Sequence, residues 1–432
     1  MGNMARLTFP IFRLNYLKNV GGVIDEALRR GHSVNLLYDK SMINTYRKGL
    51  PSPNQNSFPK FLYGQTVITG FKGLDHLAKI SKTISDIFVS HYIPPYDFDE
   101  KPYKIIDQLI DIKQAGIPIV SLMSHFYDNC LLKLEAYEFF DANCVLSSYS
   151  VEAHKKILLQ LSQNPKLPFN YTQSQIDRVI NKKVHITGSC LFDLFEQRYH
   201  EDQDKHNILV FIPKIDNHPF MNIVIKNQPR LLSLLKSIVR YKGRYFRSAL
   251  RSPRFNNFLK NLNRLATDNH LSLIAKSRVK HNNNNFIPIF EKYIDGLNDH
   301  FYPEYTTAVI MKHVKFSIHI RTFSVLESVI SGVPAVYFQI PIFETNDVST
   351  KYDFHRLYYT NTVRSGEPDS LFNYPGCVWN VPWDQSLDFI DNISVEKLEQ
   401  YPESRDKYCK DFCGVLTYPA AKRQMDVIES FL

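Results

Sequence analysis

Between His319 and Glu327 the chain reads HIRTFSVLE, and the side chains of that stretch suit one kind of ligand. The apolar run Phe316–His319 reads as a strand. Ser324 to Ser331 reads as a helix, which Gly332-Val333-Pro334 stops. A helix start that carries the hydroxyls of Thr322 and Ser324, with its backbone N–H groups still unpaired, is an anion site. Arg321 adds a guanidinium, which binds phosphate well. Glu327 falls in the first turn, where its carboxylate can accept hydrogen bonds from a diol such as a ribose. The same Ser-x-x-Glu spacing also fits a capping box, with Thr322 or Ser324 as cap and Glu327 reaching back to close it.

Removing a proton from a hydroxyl nucleophile calls for a group that titrates near neutrality, and histidine suits the task. His125 follows the apolar Pro118–Leu122 in IPIVSLMSHFYDN, which predicts a position at a strand's carboxyl end. His91, Asp25, Asp97 and Asp99 are the alternatives. Asp97-Phe98-Asp99 also spells an Asp-x-Asp pair of the kind that holds a divalent ion on a loop. The organisation around it argues against that use, so no metal is expected.

The elements that must position these groups alternate. Val20–Arg30 reads as an amphipathic helix closed by Gly31, and Val34–Tyr38 as a buried strand. Ile87–Val89, Pro118–Leu122, Ala142–Leu146 and Val184–Thr187 are further strands, with helices over Tyr103–Ala115 and Val151–Ser162 between them. Beyond the polar stretch EQRYHEDQDKHN, the pattern resumes with Ile208–Ile212, Leu271–Ala275, Phe316–His319 and Ala335–Phe338. Strands alternating with helices predict parallel, doubly wound sheets. The chain therefore divides into residues 1–195, a linker at 196–207, a second half at 208–419 and an amphipathic helix at 420–432. Two such Rossmann-like halves face each other across a cleft, with ligands at the carboxyl ends of the strands.

The 432 residues, 44% hydrophobic and 22% charged, supply ample core for two domains. No apolar run approaches the ~20 residues that span a bilayer, and Met1–Pro10 lacks a signal-peptide stretch, which predicts a cytoplasmic protein. The six cysteines match no zinc spacing, and free buried thiols are expected. The net charge of +9 is uneven: Arg230–Thr267 holds ten Lys or Arg and no acidic residue. Tyr241, Tyr245, Phe246, Phe255 and Phe258 lie among them. Mixed basic and aromatic side chains predict reversible docking on an anionic membrane, on its inner face, and the alternative is that the aromatics are simply core. No helix-turn-helix, RNA-recognition or zinc motif accompanies the charge, so nucleic acid is not an expected partner.

Three stretches resemble GT-B glycosyltransferases. GGVIDEALRRGHSVNLLY, residues 21–38, is similar to the opening glycine loop, helix and "RGH-x-V" strand of the acceptor domain. VHITGSCLF, residues 184–192, resembles the close of that domain. HIRTFSVLESVISGVPAV, residues 319–336, resembles the donor-site stretch "H-G-x-x-S-x-x-E-A-x-x-x-G-x-P". They occur in the family's order over nearly the whole chain. The resemblance implies an inverting, metal-independent transferase that needs no cofactor beyond its nucleotide-sugar donor and acts on a glycan or lipid-linked acceptor. It implies that His319, Thr322 and Ser324 meet the donor phosphates, and that Glu327 holds the ribose. Lys276 and Arg278 face the same phosphates from the preceding strand end. Gly21 and Gly22 form the acceptor-side loop, near which some relatives keep a base, here Asp25. Ile320 and Arg321 stand where the family has glycine after the histidine, and Arg321 supplies charge instead. The segment around His125 resembles polymer-forming glycerophosphotransferases, with Phe126 replacing a glycine. A CDP-alcohol phosphotransferase and a nonhydrolysing nucleotide-sugar epimerase are the alternatives on this fold.

Overall fold

The structure is a computed structural model and describes residues 4–12, 14–40, 58–91, 107–122, 134–163, 169–196, 204–211, 252–276, 292–294, 300–320, 322–339, 367–414 and 418–432. Two parallel sheets organise it. The first contains β1 (Arg6–Ile11), β2 (Ser33–Asp39), β3 (Val67–Phe71), β4 (Ile87–Ser90), β5 (Ile119–Leu122), β6 (Ala142–Val145) and β7 (Val184–Ile186), in the order β3-β2-β1-β4-β5-β6-β7. The second contains β8 (Asn207–Phe211), β9 (Ser272–Lys276), β10 (Lys292–Ile294), β11 (Val314–His319), β12 (Ala335–Gln339) and β13 (Val378–Pro382), in the order β10-β9-β8-β11-β12-β13. Each order reverses beside the first strand of its sheet, so each half carries a switch point at its carboxyl edge. The central strands are buried on both faces and read as unbroken apolar runs, as in NILVF of β8.

Helix Leu17–Arg29 follows β1 and buries Val20, Val23, Ile24 and Ala27 against the first sheet. Gly21 and Gly22 lie inside this helix, which corrects the expectation of a glycine loop. They are small for packing reasons. A Cβ on Gly21 would stand 2.4 Å from ring atoms of Tyr302, and one on Gly22 would stand 3.1 Å from the Cβ of Cys190. The helix thereby accepts an aromatic ring of the second half and a helix of its own half at close range.

The halves are joined by more than the chain between them. One apolar cluster takes Leu146, Leu191 and Phe195 from the first half and Tyr305, Met311, Val325 and Val329 from the second. The terminal helix Ala420–Glu429 returns to the first half, where Ala421, Met425 and Ile428 join the core around β1. The Asp193 carboxylate accepts from the N–H groups of Ala420 and Ala421 at 2.9 and 3.0 Å, satisfying two of the helix's orphan donors. Arg30 pairs with Asp426 and Glu429 at 2.7 and 2.6 Å at the other end.

Most of the basic stretch Arg230–Thr267 lies outside the described residues. The part within them is helix Ser252–Asp268, in which Phe258, Leu262 and Ala266 are buried in the second core. Phe258 is fully enclosed, in edge contact with Phe338 and packed beside Trp383. That removes Phe258 from the expected membrane-facing aromatics: its spacing serves the helix's inner face. No helix among the described residues is long and apolar enough to cross a membrane. The five described cysteines are buried and free.

Candidate functional site

The carboxyl end of β11 leads into helix Ser324–Ile330, and the helix start faces the first half. Thr322 Oγ1 accepts from the Ser324 N–H at 3.3 Å and donates to Ser324 Oγ at 3.2 Å. The cap position is Phe323, with no side-chain cap bond, so the capping-box reading fails. Glu327 points elsewhere. Its carboxylate is almost fully buried and lies 3.8 Å from Lys18 Nζ. Lys18, in the first turn of helix Leu17–Arg29, donates to Tyr305 Oη at 2.9 Å, and its ammonium stands 4.7 Å from that ring's centre. Burial, reinforced by the Glu327 charge, pushes the Tyr305 phenol up to about 12, so it remains a donor at neutral pH. A carboxylate, an ammonium and a phenol from opposite halves thus meet between the two sheets.

His91 closes the first-half side of this region. It follows β4 and is buried. Its Nδ1 lies 3.0 Å from the Leu122 carbonyl oxygen, which requires a proton on Nδ1; Nε2 then accepts from the Asn19 side-chain amide at 2.9 Å. Burial pushes its pKa down to about 4. His91 is therefore a neutral ring of fixed tautomer and a weak proton acceptor.

His319 has no exposed surface. Its Nε2 shares hydrogen bonds with Ser317 Oγ at 2.8 Å and Ser328 Oγ at 3.1 Å, and the ring stacks on Phe211 at 4.8 Å. Burial pushes it down to about 3. His319, expected at the donor phosphates, here lies within the junction of β11 and the helix, its Nε2 engaged by the two serines and its Nδ1 buried without a hydrogen-bond partner among the described residues. Ile320, which replaces the family's glycine, turns its side chain into the second core.

These two rings carry a pH prediction. Both are neutral when folded and titrate near 6.5 when unfolded, so below that pH the unfolded chain binds more protons. Stability falls as pH drops from 6.5, by up to about 1.4 kcal/mol per pH unit for each ring. Melting temperature measured between pH 6.5 and 5, above the range of ordinary carboxylates, is expected to decline. A flat profile there counts against both assignments.

Asp25 is tied up in structure. One carboxylate oxygen accepts from the N–H groups of Leu62 and Tyr63 at 2.6 and 3.3 Å, and the other accepts from the hydroxyl of Tyr302. Burial and that carboxylate hold the Tyr302 phenol well above its ordinary range. With its oxygens so engaged, Asp25 clamps a loop of its own half and a tyrosine of the other, and it is a poor general base. Asp25→Ala is expected to cost roughly 2–4 kcal/mol, because the buried Tyr302 hydroxyl loses its partner while the exposed loop N–H groups turn to water. Urea denaturation measures this, and an unchanged midpoint would dismiss the clamp.

Lys276 ends β9 and is buried, at the strand end where a donor-facing cation was expected. His125, Asp97, Asp99, Arg278 and Arg321 lie outside the described residues. Among the described residues no cluster of His, Cys, Asp and Glu has the arrangement to hold a metal. Sequence reasoning missed Lys18 and Tyr305. They are 287 positions apart, and neither sits in a motif.

Two doubly wound parallel sheets with facing carboxyl ends, a shared core and a returning terminal helix define the GT-B fold. The whole chain superposes on solved structures of that fold. The wall teichoic acid polymerase TagF matches over 99% of this chain and 89% of its own, at 12% identity and a TM-score of 0.52. A variant of that polymerase soaked with CDPG matches over 99% and 88%, at 12% identity and a TM-score of 0.53. A Listeria monocytogenes protein assigned as a UDP-N-acetylglucosamine 2-epimerase matches over 99% and 96%, at 8% identity and a TM-score of 0.52. At these identities the likeness is one of fold. No family model and no curated protein sequence matches the chain.

Proposed function

We propose that this protein is a glycosyltransferase that moves a sugar from a nucleotide-activated donor to a glycan or lipid-linked acceptor, with inversion and without a metal. The observation that carries the reading is Glu327, a buried carboxylate one turn into the helix after β11, presented to the opposite half. In this reading Glu327 accepts hydrogen bonds from the donor's ribose. Thr322, Ser324, Lys276, Arg278 and Arg321 meet its phosphates. The bond from the anomeric carbon to the diphosphate breaks, and the nucleoside diphosphate leaves with the charge that these donors and cations stabilise. The acceptor hydroxyl forms the new bond and gives its proton to a general base, for which His125 is proposed. Closure of the two halves keeps water out.

A second reading shares the fold likeness to a polymerase solved with CDPG. There a phosphoalcohol moves instead, a phosphorus–oxygen bond breaks and CMP leaves. A thermal-shift screen with UDP, GDP, dTDP, CDP and CMP tests both, since a ligand that binds only the folded state raises the melting temperature. A nucleoside diphosphate that stabilises the protein, with its sugar derivative turned over, supports the first reading. Stabilisation by cytidine nucleotides alone, with CMP as product, transfers the assignment to the second. No shift with any of the five overturns both.

A further inference from the structure

The proposed transfer leaves Lys18 without a task, although it meets Glu327 across the cleft. Lys18 lies in the first turn of helix Leu17–Arg29, after β1, beside which the order of the first sheet reverses. Glu327 lies in the helix after β11, beside the reversal in the second sheet. The pair therefore joins the two switch points, where doubly wound sheets take their ligands. Both side chains keep some surface that a ligand between the halves can touch, 15% for Lys18 and 9% for Glu327.

The spacing of the two groups favours one kind of ligand atom. Lys18 Nζ stands 3.8 Å from Glu327 Oε1, beyond the roughly 2.7–2.9 Å of a charge-assisted hydrogen bond, so the charges attract without bonding directly. A hydroxyl oxygen about 2.7 Å from each would make an angle of about 90° between them, and a hydroxyl donates and accepts at once. Its proton goes to the carboxylate and its lone pair to the ammonium. A phosphate oxygen brings no proton and is repelled by the carboxylate, so it suits this pair poorly. Tyr305 fixes the ammonium. Its Oη accepts from Lys18 Nζ at 2.9 Å, and edge contact with Phe195 at 5.6 Å holds its ring in the shared core. Lys18 is thus ordered in advance, which lowers the cost of binding.

We infer that Lys18 is a specificity-determining residue of the donor site: one ribose hydroxyl bridges it to Glu327, donating to the carboxylate and accepting from the ammonium. The inference rests on the reading that places a nucleotide's ribose at Glu327, and it holds for either leaving group. Calorimetric titration of UDP, GDP, dTDP, CDP and CMP beside their 2′,3′-dideoxy counterparts tests it. The wild type is expected to favour the hydroxylated form of the nucleotide it binds by roughly 100-fold, and Lys18→Met by roughly tenfold. Affinity for the dideoxy form should be nearly equal in the two proteins. Tyr305→Phe keeps both charges and the ring's packing and removes only the acceptor that fixes the ammonium, so its preference should fall between them. A preference that stays near 100-fold in Lys18→Met overturns the inference, and so does an equal loss of affinity for both forms, the behaviour of a cation that meets phosphate. If Lys18→Met fails to fold, an unchanged preference in Tyr305→Phe overturns it. Equal affinity of the wild type for both forms overturns the inference and leaves nucleotide binding standing, whereas no binding of any of the five removes the underlying reading as well.

Discussion

Glu327→Ala is expected to lower nucleotide affinity by roughly 10–100-fold, the worth of about 1.5–3 kcal/mol for hydrogen bonds to a charged group. The carboxylate is buried and presented to the cleft from the helix after β11. It closes no capping box, so its removal takes no cap from the helix. Its described ionic partner is Lys18, at a separation of 3.8 Å, and Lys18 keeps its bond to Tyr305 when the carboxylate is gone. The melting temperature should therefore move little while the nucleotide dissociation constant rises. Glu327→Gln, which keeps an acceptor oxygen, should fall between the wild type and the alanine variant. Calorimetric titration of the nucleotide found in the screen, with a melting curve for each variant, decides. Unchanged affinity with a lowered melting temperature would make Glu327 a clamp between the halves and withdraw it from the donor site.

His125→Ala is expected to lower turnover by roughly 10²–10⁴-fold, the usual contribution of a general base, and to leave donor affinity nearly intact. The structure sharpens this choice by what it does to two alternatives. Asp25 spends its oxygens on Leu62, Tyr63 and Tyr302. His91 directs its lone pair at Asn19 and is pushed down to about 4. A base that weak takes a proton from an alcohol poorly. With His125 as base, turnover should also decline as pH falls through histidine's ordinary value near 6.5. Steady-state kinetics and a direct binding measurement on the same variant test the split between kcat and affinity. Full turnover in His125→Ala moves the assignment to Asp97 or Asp99.

Much of the fold was legible because buried parallel strands leave unbroken apolar runs. Val34–Tyr38 and Ala335–Phe338 were readable in this way and became β2 and β12. β1 was not read, and it contains Pro10. In the sheet Arg6 presents its carbonyl to Asp86 on the β4 side, and so do the even-numbered positions after it. The ladder to β4 ends at Thr8, so the missing N–H of Pro10 falls where no partner waits. β13 went unread because an edge strand needs no continuous apolar run, and Asn380 and Pro382 break its pattern. The apolar period placed Gly21 and Gly22 in a helix, while the family resemblance implied a loop there, and the helix is what forms although glycine is a poor helix former. Close contact with Tyr302 and Cys190 overrides that preference.

The sequence by itself determined the alternation of strands and helices, the helix start with Thr322 and Ser324, and the place of Glu327 one turn beyond. These are local properties, set by side-chain period and by hydroxyls near a helix start. Only the tertiary structure decided what Glu327 faces, that His319 lies within the junction of β11 and the helix, and that Asp25 is engaged by three donors. Lys18 and Tyr305 are brought together by the shared core that holds the two sheets in one orientation. Burial and pairing between residues hundreds of positions apart depend on that orientation. No window of sequence short enough to show a period contains it.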